Sequence, residues 1–167
     1  DVKVSGANEV KKNWEEIKLS EGRESVLDGV PYKLPALQRA HRLQEKAAKV
    51  GFDWEKKEDV WKKVIEEIEE MHEIENFKSQ KPNSKNQEEL NLKLEKEVGD
   101  VFFALVNYAR FLNINPEDAL RRTNEKFINR FNYVQKKVKE TGKAINESNL
   151  EEMDKFWNEC KKLPEFN

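Results

Sequence analysis

Apolar residues recur along this chain at intervals of three and four, and no stretch shows the period-2 alternation of a half-buried strand. Six glycines and five prolines fall singly, as punctuation between long runs of good helix formers. Residues 8–19 predict a short helix, followed by a polar link through Gly22 and Gly29. After Pro31 and Pro35, Leu37, Ala40, Leu43 and Ala47 mark the next helix, with Gly51 as its C-terminal stop. A longer helix runs from about Glu58 to the Ser79–Pro82 break, with Val60, Trp61, Val64, Ile65 and Ile68 on its apolar face. SQKPNSKNQ (79–87) is a polar loop.

The next helix, from about Glu88 to Leu112, changes character midway. VFFALVNYARFL (101–112) is apolar on every side, so the pattern predicts that protein surrounds it. Asn115-Pro116 is a start signal for a helix that reaches Thr141, with Leu120, Phe127, Phe131, Val134 and Val138 as its core stripe. Ser148 with Glu151 resembles a capping box that opens a last helix carrying Trp157. The expected fold class is all-α, a bundle of four to five helices.

Composition narrows the function classes. With 167 residues the chain is one domain, or one domain plus an arm. Charged residues make up 38% of it, yet 31 Lys+Arg against 33 Asp+Glu leave a net charge of only −2. That balance argues against a nucleic-acid grip, which carries a basic excess. The longest apolar run, Val101–Val106, is six residues, too short for a bilayer. No signal-peptide pattern is present, and the single Cys160 has no partner for an internal disulfide. The expectation is a soluble cytoplasmic protein with no membrane or nucleic-acid partner.

The chemistry is carried by carboxylates. Glu66, Glu67 and Glu70 share one sector of their helix by i,i+3 and i,i+4 spacing. A helical wheel puts that sector opposite the stripe of Trp61, Val64, Ile65 and Ile68, where an acidic cluster is ordinarily a solvated face. Glu97 and Asp100 reverse that judgement. They form a second i,i+3 pair, and Asp100 leads into the apolar segment, where full solvation is not expected. A buried carboxylate needs a cation, a basic partner or a proton. Gly99, poor for helix stability, fits a close backbone approach. Two acid pairs on two helices form the hard-oxygen set that Mg²⁺ or Mn²⁺ prefers, and two histidines with one cysteine disfavour zinc. The alternative for Asp100 is a structural salt bridge.

Arg122, Lys126 and Arg130 stand in one row beside Phe127 and Phe131, either a solvated flank or a phosphate-binding edge. Trp157 and Lys161, one turn apart, offer a stacking face and a further phosphate contact, unless Trp157 is simply core. No phosphate-binding glycine loop or nucleophile elbow occurs, and His72 sits off the Glu70 face as a surface residue.

EEIEE (66–70) followed by EVGD (97–100) resembles the E-E-x-x-E … E-x-x-D signature of the all-α nucleoside triphosphate pyrophosphohydrolases, most closely the MazG family. The resemblance extends through LPALQRAHRLQEKAAKVGFDW, NPEDALRRTNEKFINRF and MDKFWNECK, so that it covers about residues 31–162. It implies metal ligation by Glu67, Glu70, Glu97 and Asp100. Glu66, the first acid of the motif, becomes the candidate for orienting or deprotonating water. Lys126, Arg130, Trp157 and Lys161 match positions that bind the nucleotide's phosphates and base. It further implies a homodimer whose helices complete the bundle, and often two such domains in tandem.

NEVKKNWEEIK (8–18) and EEMDKFWNECK (151–161) share a Trp followed four residues later by Lys. On this basis residues 1–20 are expected to be a helix and the tail of a preceding domain copy, 21–34 a linker, and 35–163 the catalytic helical domain. The expected function is Mg²⁺-dependent hydrolysis of nucleoside triphosphates to monophosphate and pyrophosphate. The alternatives are a non-catalytic nucleotide-binding or protein-interaction module, a dUTP- or dCTP-selective relative, and a phosphoribosyl-ATP pyrophosphohydrolase.

Overall fold

The computed structural model describes residues 25–80 and 86–166. The helix expected over 8–19, with its repeat, and the middle of the loop at 79–87 lie outside the described residues. Among the described residues five α-helices follow one another: α1 (Ala36–Lys49), α2 (Lys57–Gln80), α3 (Gln87–Phe111), α4 (Pro116–Glu140) and α5 (Leu150–Cys160). Short 3₁₀ turns lie at Ile145–Glu147 and Pro164–Phe166, and the described residues contain no strand. The fold is all-α, as the periodicity predicts.

The helix ends show why the sequence stops where it does. At the end of α1, Gly51 takes a positive φ of 89°. Its N–H donates to the Ala48 carbonyl (3.1 Å) and the Phe52 N–H to the Ala47 carbonyl (3.1 Å), the paired bonds of a Schellman turn. α3 ends in the same way, with Asn113 at φ 57° and the Ile114 N–H donating to the Ala109 carbonyl at 2.9 Å. Asn115 then caps α4 by accepting the Glu117 N–H on Oδ1 at 3.0 Å. The start of α5 differs from the expectation by one residue. Asn149, not Ser148, accepts an N–H, that of Glu152 at 2.9 Å, while the Ser148 hydroxyl donates to the Glu152 carboxylate at 2.8 Å.

Two compact units divide after Glu117. In the first, α3 packs along α2 and against α1. Val60 and Val64 of α2 and Leu90, Ala104 and Val106 of α3 are buried. The wheel expectation for α2 needs correction. Its buried row is Val60, Val64 and Glu67, whereas Trp61 (44% exposed) and Ile65 (38%) lie at the surface. Trp61 rests against Tyr108 of α3 at 5.0 Å between ring centroids. One acid of the cluster therefore lies on the core side of the helix rather than opposite it. Nor do the described residues surround the apolar segment of α3: Ala104 and Val106 are buried, but Phe102 and Leu105 are 56% and 40% exposed.

In the second unit, Val134 and Val138 of α4 and Cys160 of α5 are buried. Phe127 stacks on Phe131 (6.0 Å) and tilts against Trp157 (5.4 Å). The Tyr133 hydroxyl donates to Glu159 at 2.5 Å, which joins α4 to α5. Only the later half of the predicted α4 stripe is core, because Leu120 and Phe127 are about half exposed.

Candidate functional site

Glu67 lies on the buried row of α2, and Glu70 follows one turn later at the exposed edge. Glu97 comes from the facing helix α3 and is half-buried. Each of the three offers a carboxylate oxygen within 4.8 Å of the others. Three like charges at this separation repel strongly, and the helix pair brings them together all the same. Desolvation, reinforced by the negative charge of Glu67, pushes the Glu70 carboxyl above the usual carboxylate range.

Lys63 supplies one compensating charge. Its Nζ lies 2.6 Å from Glu66 and 2.7 Å from Glu67, one turn further along α2. These two hydrogen bonds raise the lysine above its ordinary range. Glu66 thereby turns toward Lys63, outside the three-acid group. All the donors in that group are carboxylate oxygens, the set suited to a hard divalent cation.

Asp100 stands one turn beyond Glu97 on α3. It is exposed, contrary to the expectation from its apolar neighbours, and it forms no ion pair among the described residues. It does not join the three-acid group but lines a pocket with Lys63 and Glu67. Gly99 does not mark a close approach either, since an added Cβ would meet nothing within 4 Å. His72 is exposed and bonded to Glu75 at 2.9 Å, in keeping with a surface role.

The pocket, of about 700 Å³, opens between α1, α3 and the 51–54 segment. Leu43, Ala47, Phe103 and Ala104 form apolar walls, and Trp54 adds an aromatic one. The sequence reading missed its polar members. Gln44 of α1 is 7% exposed and donates from Nε2 to the Phe103 carbonyl at 2.8 Å. Arg110 donates to both Asp53 oxygens (3.0 and 2.5 Å) and through Nε and Nη2 to Asn107 Oδ1 (3.0 and 2.8 Å). The first ion pair ties the segment after Gly51 to α3. A signal for Gln44 was present: it stands four residues after Ala40, inside an apolar stripe.

In the second unit, three of the four expected nucleotide-binding residues come together. The Arg130 guanidinium and the Lys161 ammonium lie over the half-buried Trp157 ring, 6.0 and 5.9 Å from its centroid. Arg130 also donates to the Phe166 carbonyl at 3.1 and 2.9 Å. Lys126 lines a groove of about 460 Å³ with Arg121, Arg122 and Asn129. Trp157 is thus both a packing residue, through Phe127, and the centre of a cationic pair.

Residues 55–135 match the family model described as the MazG nucleotide pyrophosphohydrolase domain. A nucleoside triphosphate pyrophosphohydrolase/pyrophosphatase MazG from Thermotoga maritima is 37% identical over 153 residues, which cover 90% of this chain and 54% of that protein. A nucleoside triphosphate pyrophosphohydrolase from Escherichia coli K12 is 38% identical, covering 97% of this chain and 60% of its own length. An uncharacterized protein, YabN, from Bacillus subtilis is 49% identical over 96% of this chain and 32% of its own length. The chain thus spans between half and two thirds of the two named enzymes it matches. With the all-α fold and the three converging glutamates, these matches show that residues 55–135 form a MazG nucleotide pyrophosphohydrolase domain.

Proposed function

We propose that the chain hydrolyses nucleoside triphosphates to nucleoside monophosphate and pyrophosphate, with Mg²⁺ as the required cation and Mn²⁺ as a substitute. The observation that carries this reading is the convergence of Glu67, Glu70 and Glu97 from two helices, within 4.8 Å, beside a nucleotide-sized pocket. The donor chemistry fits the cation: three carboxylates, one of them held above its usual range by desolvation and by the charge of Glu67, gain from a divalent charge among them. Asp100, exposed on the pocket wall, is assigned as the fourth ligand. A cation held by these carboxylates would supply polarisation of the phosphate and a lowered pKa for water.

The chain's own residues do the rest. Glu66 orients the attacking water or takes its proton, from a position on α2 where Lys63 holds its carboxylate. Lys126 and Arg130 offset the negative charge that develops on the triphosphate. Trp157 and Lys161 contribute to binding the nucleotide. The exposed Phe102 and Leu105 on α3 support assembly as a homodimer, in which a second chain covers them. Nucleoside triphosphates are cytoplasmic metabolites, and this reading places the enzyme with them.

The test is pyrophosphate release from the four nucleoside triphosphates, their deoxy forms and dUTP, with and without Mg²⁺. Release in Mg²⁺ that Glu97→Gln abolishes is the expected result. No release from any of them overturns the reading.

A further inference from the structure

Arg130 is half-buried on α4, and its charge meets no carboxylate among the described residues. It bonds to a backbone carbonyl instead. Nε and Nη2, the side-on fork of the guanidinium, both donate to the Phe166 oxygen, at 3.1 and 2.9 Å. That fork is one of the edges with which a guanidinium grips a phosphate through two parallel bonds. A single neutral oxygen of the chain itself therefore fills an edge suited to two anionic ones.

The carbonyl belongs to the 3₁₀ turn Pro164–Phe166, which follows α5. The turn is lightly held. The Phe166 N–H closes back on the Leu163 carbonyl at 3.1 Å, and the Phe166 ring meets Tyr133 of α4 edge-on at 5.4 Å. Pro164 is exposed. One aromatic edge contact and two bonds to a single acceptor suit a segment that opens and closes while the helices stay folded. Phe166 also lines the groove that Arg122 and Lys126 line. The turn thus lies in the groove of one residue assigned to the triphosphate and takes the donors of another.

A phosphate brings two ionised oxygens to the fork where the turn brings one neutral carbonyl, so the anion wins the exchange. We propose that the Pro164–Phe166 turn is an autoinhibitory strap, which competes with the triphosphate for Arg130 and is displaced when a phosphate takes the side-on fork. The inference rests on the pyrophosphohydrolase reading and gives its phosphate site a built-in competitor. Because strap and phosphate exclude each other, the apparent affinity is reduced to the fraction of chains in which the strap is open. A strap open in about one chain in three to one in ten weakens binding about three- to tenfold.

The test uses inorganic tripolyphosphate in Mg²⁺, which reads the phosphate site without turnover. Phe166→Ala removes the ring contact that holds the carbonyl in place. By calorimetry it is expected to bind tripolyphosphate about three- to tenfold more tightly than wild type, with KM for the best nucleotide lowered by a similar factor. In an Arg130→Ala chain, Phe166→Ala should change nothing, because the strap has no guanidinium left to cover. Unchanged or weaker binding by Phe166→Ala, or the same gain without Arg130, overturns the proposal. If Phe166→Ala does not fold, wild type decides by itself. The nuclear Overhauser contact between the Tyr133 and Phe166 rings should fade as tripolyphosphate saturates the protein; a contact that persists, or no binding at all, overturns the strap. Pyrophosphate release from nucleotides with that contact intact sinks the strap alone. A contact that fades in a chain that releases no pyrophosphate sinks the hydrolase reading alone.

Discussion

The Nζ of Lys63 lies 2.7 Å from the Glu67 carboxylate, whose side chain is only 10% exposed. This lysine is thus a positive charge bonded directly to one of the three converging glutamates. Removing it leaves Glu67 on the core side of α2 with no ion-pair partner among the described residues. Because Lys63 is itself a third exposed, the expected loss for Lys63→Met is modest, about 1–2 kcal/mol. For a chain of this size that lowers Tm by roughly 2–8 °C. Mg²⁺ is expected to restore more stability to Lys63→Met than to wild type, because it replaces the missing charge. Thermal melts of both proteins with and without Mg²⁺ check this; equal Mg²⁺ shifts would show that Lys63 is not the competing cation.

The assigned ligands predict a common phenotype from two helices. Glu67→Gln, Glu70→Gln, Glu97→Gln and Asp100→Asn each keep side-chain shape while removing a negative charge. Each is expected to lower pyrophosphate release by about a hundredfold or more, the scale of several kcal/mol of lost transition-state stabilisation. Chelation should abolish turnover, and added Mg²⁺ should restore it. Asp100→Asn is the most informative of the set, because Asp100 lies outside the three-acid group and makes no ion pair among the described residues. Wild-type turnover in that variant would remove Asp100 from the ligand set.

Much of this arrangement was legible in the sequence, for reasons that differ by residue. Helix boundaries followed from local chemistry: Gly51 and Asn115 act through their own backbone and side-chain geometry, and both ends formed as expected. The acid pairs were legible because i,i+3 spacing fixes a shared helix face. The wheel nevertheless put Glu67 opposite the core. It weighted Trp61 and Ile65 as buried, whereas tertiary packing against α3 selects the row of Val60, Val64 and Glu67. The exposure of Phe102 and Leu105 depends on what surrounds α3, which its own pattern does not encode. Asp53 and Arg110 lie 57 positions apart, so no local periodicity links them.

Glu152 predicts the acid-side stability. Its carboxylate accepts from Lys143 (2.9 and 3.2 Å) and from the Ser148 hydroxyl (2.8 Å), and these bonds hold it below the usual carboxylate range. A carboxyl depressed in the folded state contributes stability above its unfolded pKa. That contribution is lost as pH falls through the depressed folded value. Glu152→Gln is therefore expected to be less stable than wild type near neutral pH, the difference shrinking below about pH 4.5. Urea midpoints of the two proteins from about pH 7 to 3 read this directly. A difference that does not change with pH would mean that packing at the start of α5, not charge, is what Glu152 supplies.

Lys126 and Arg130 share one face of α4 and one proposed task, yet the structure separates what their loss should do. Lys126 is exposed beside a groove, so Lys126→Ala is expected to leave Tm within about 1 °C of wild type, as for other surface changes. Its effect should fall on the substrate, with KM for the triphosphate raised about tenfold, the scale of one charge-assisted hydrogen bond. Arg130 additionally holds the Phe166 carbonyl through two bonds and lies over Trp157. Arg130→Ala should therefore raise KM and lower Tm together, by a few degrees. Arg130→Lys keeps the charge but not the two-pronged geometry, so it should recover KM in part and Tm hardly at all. Steady-state kinetics and melts on the three variants separate the roles. An Arg130→Ala protein with the wild-type KM but a lowered Tm would assign this arginine to the packing of α4 and α5 and leave the phosphates to Lys126.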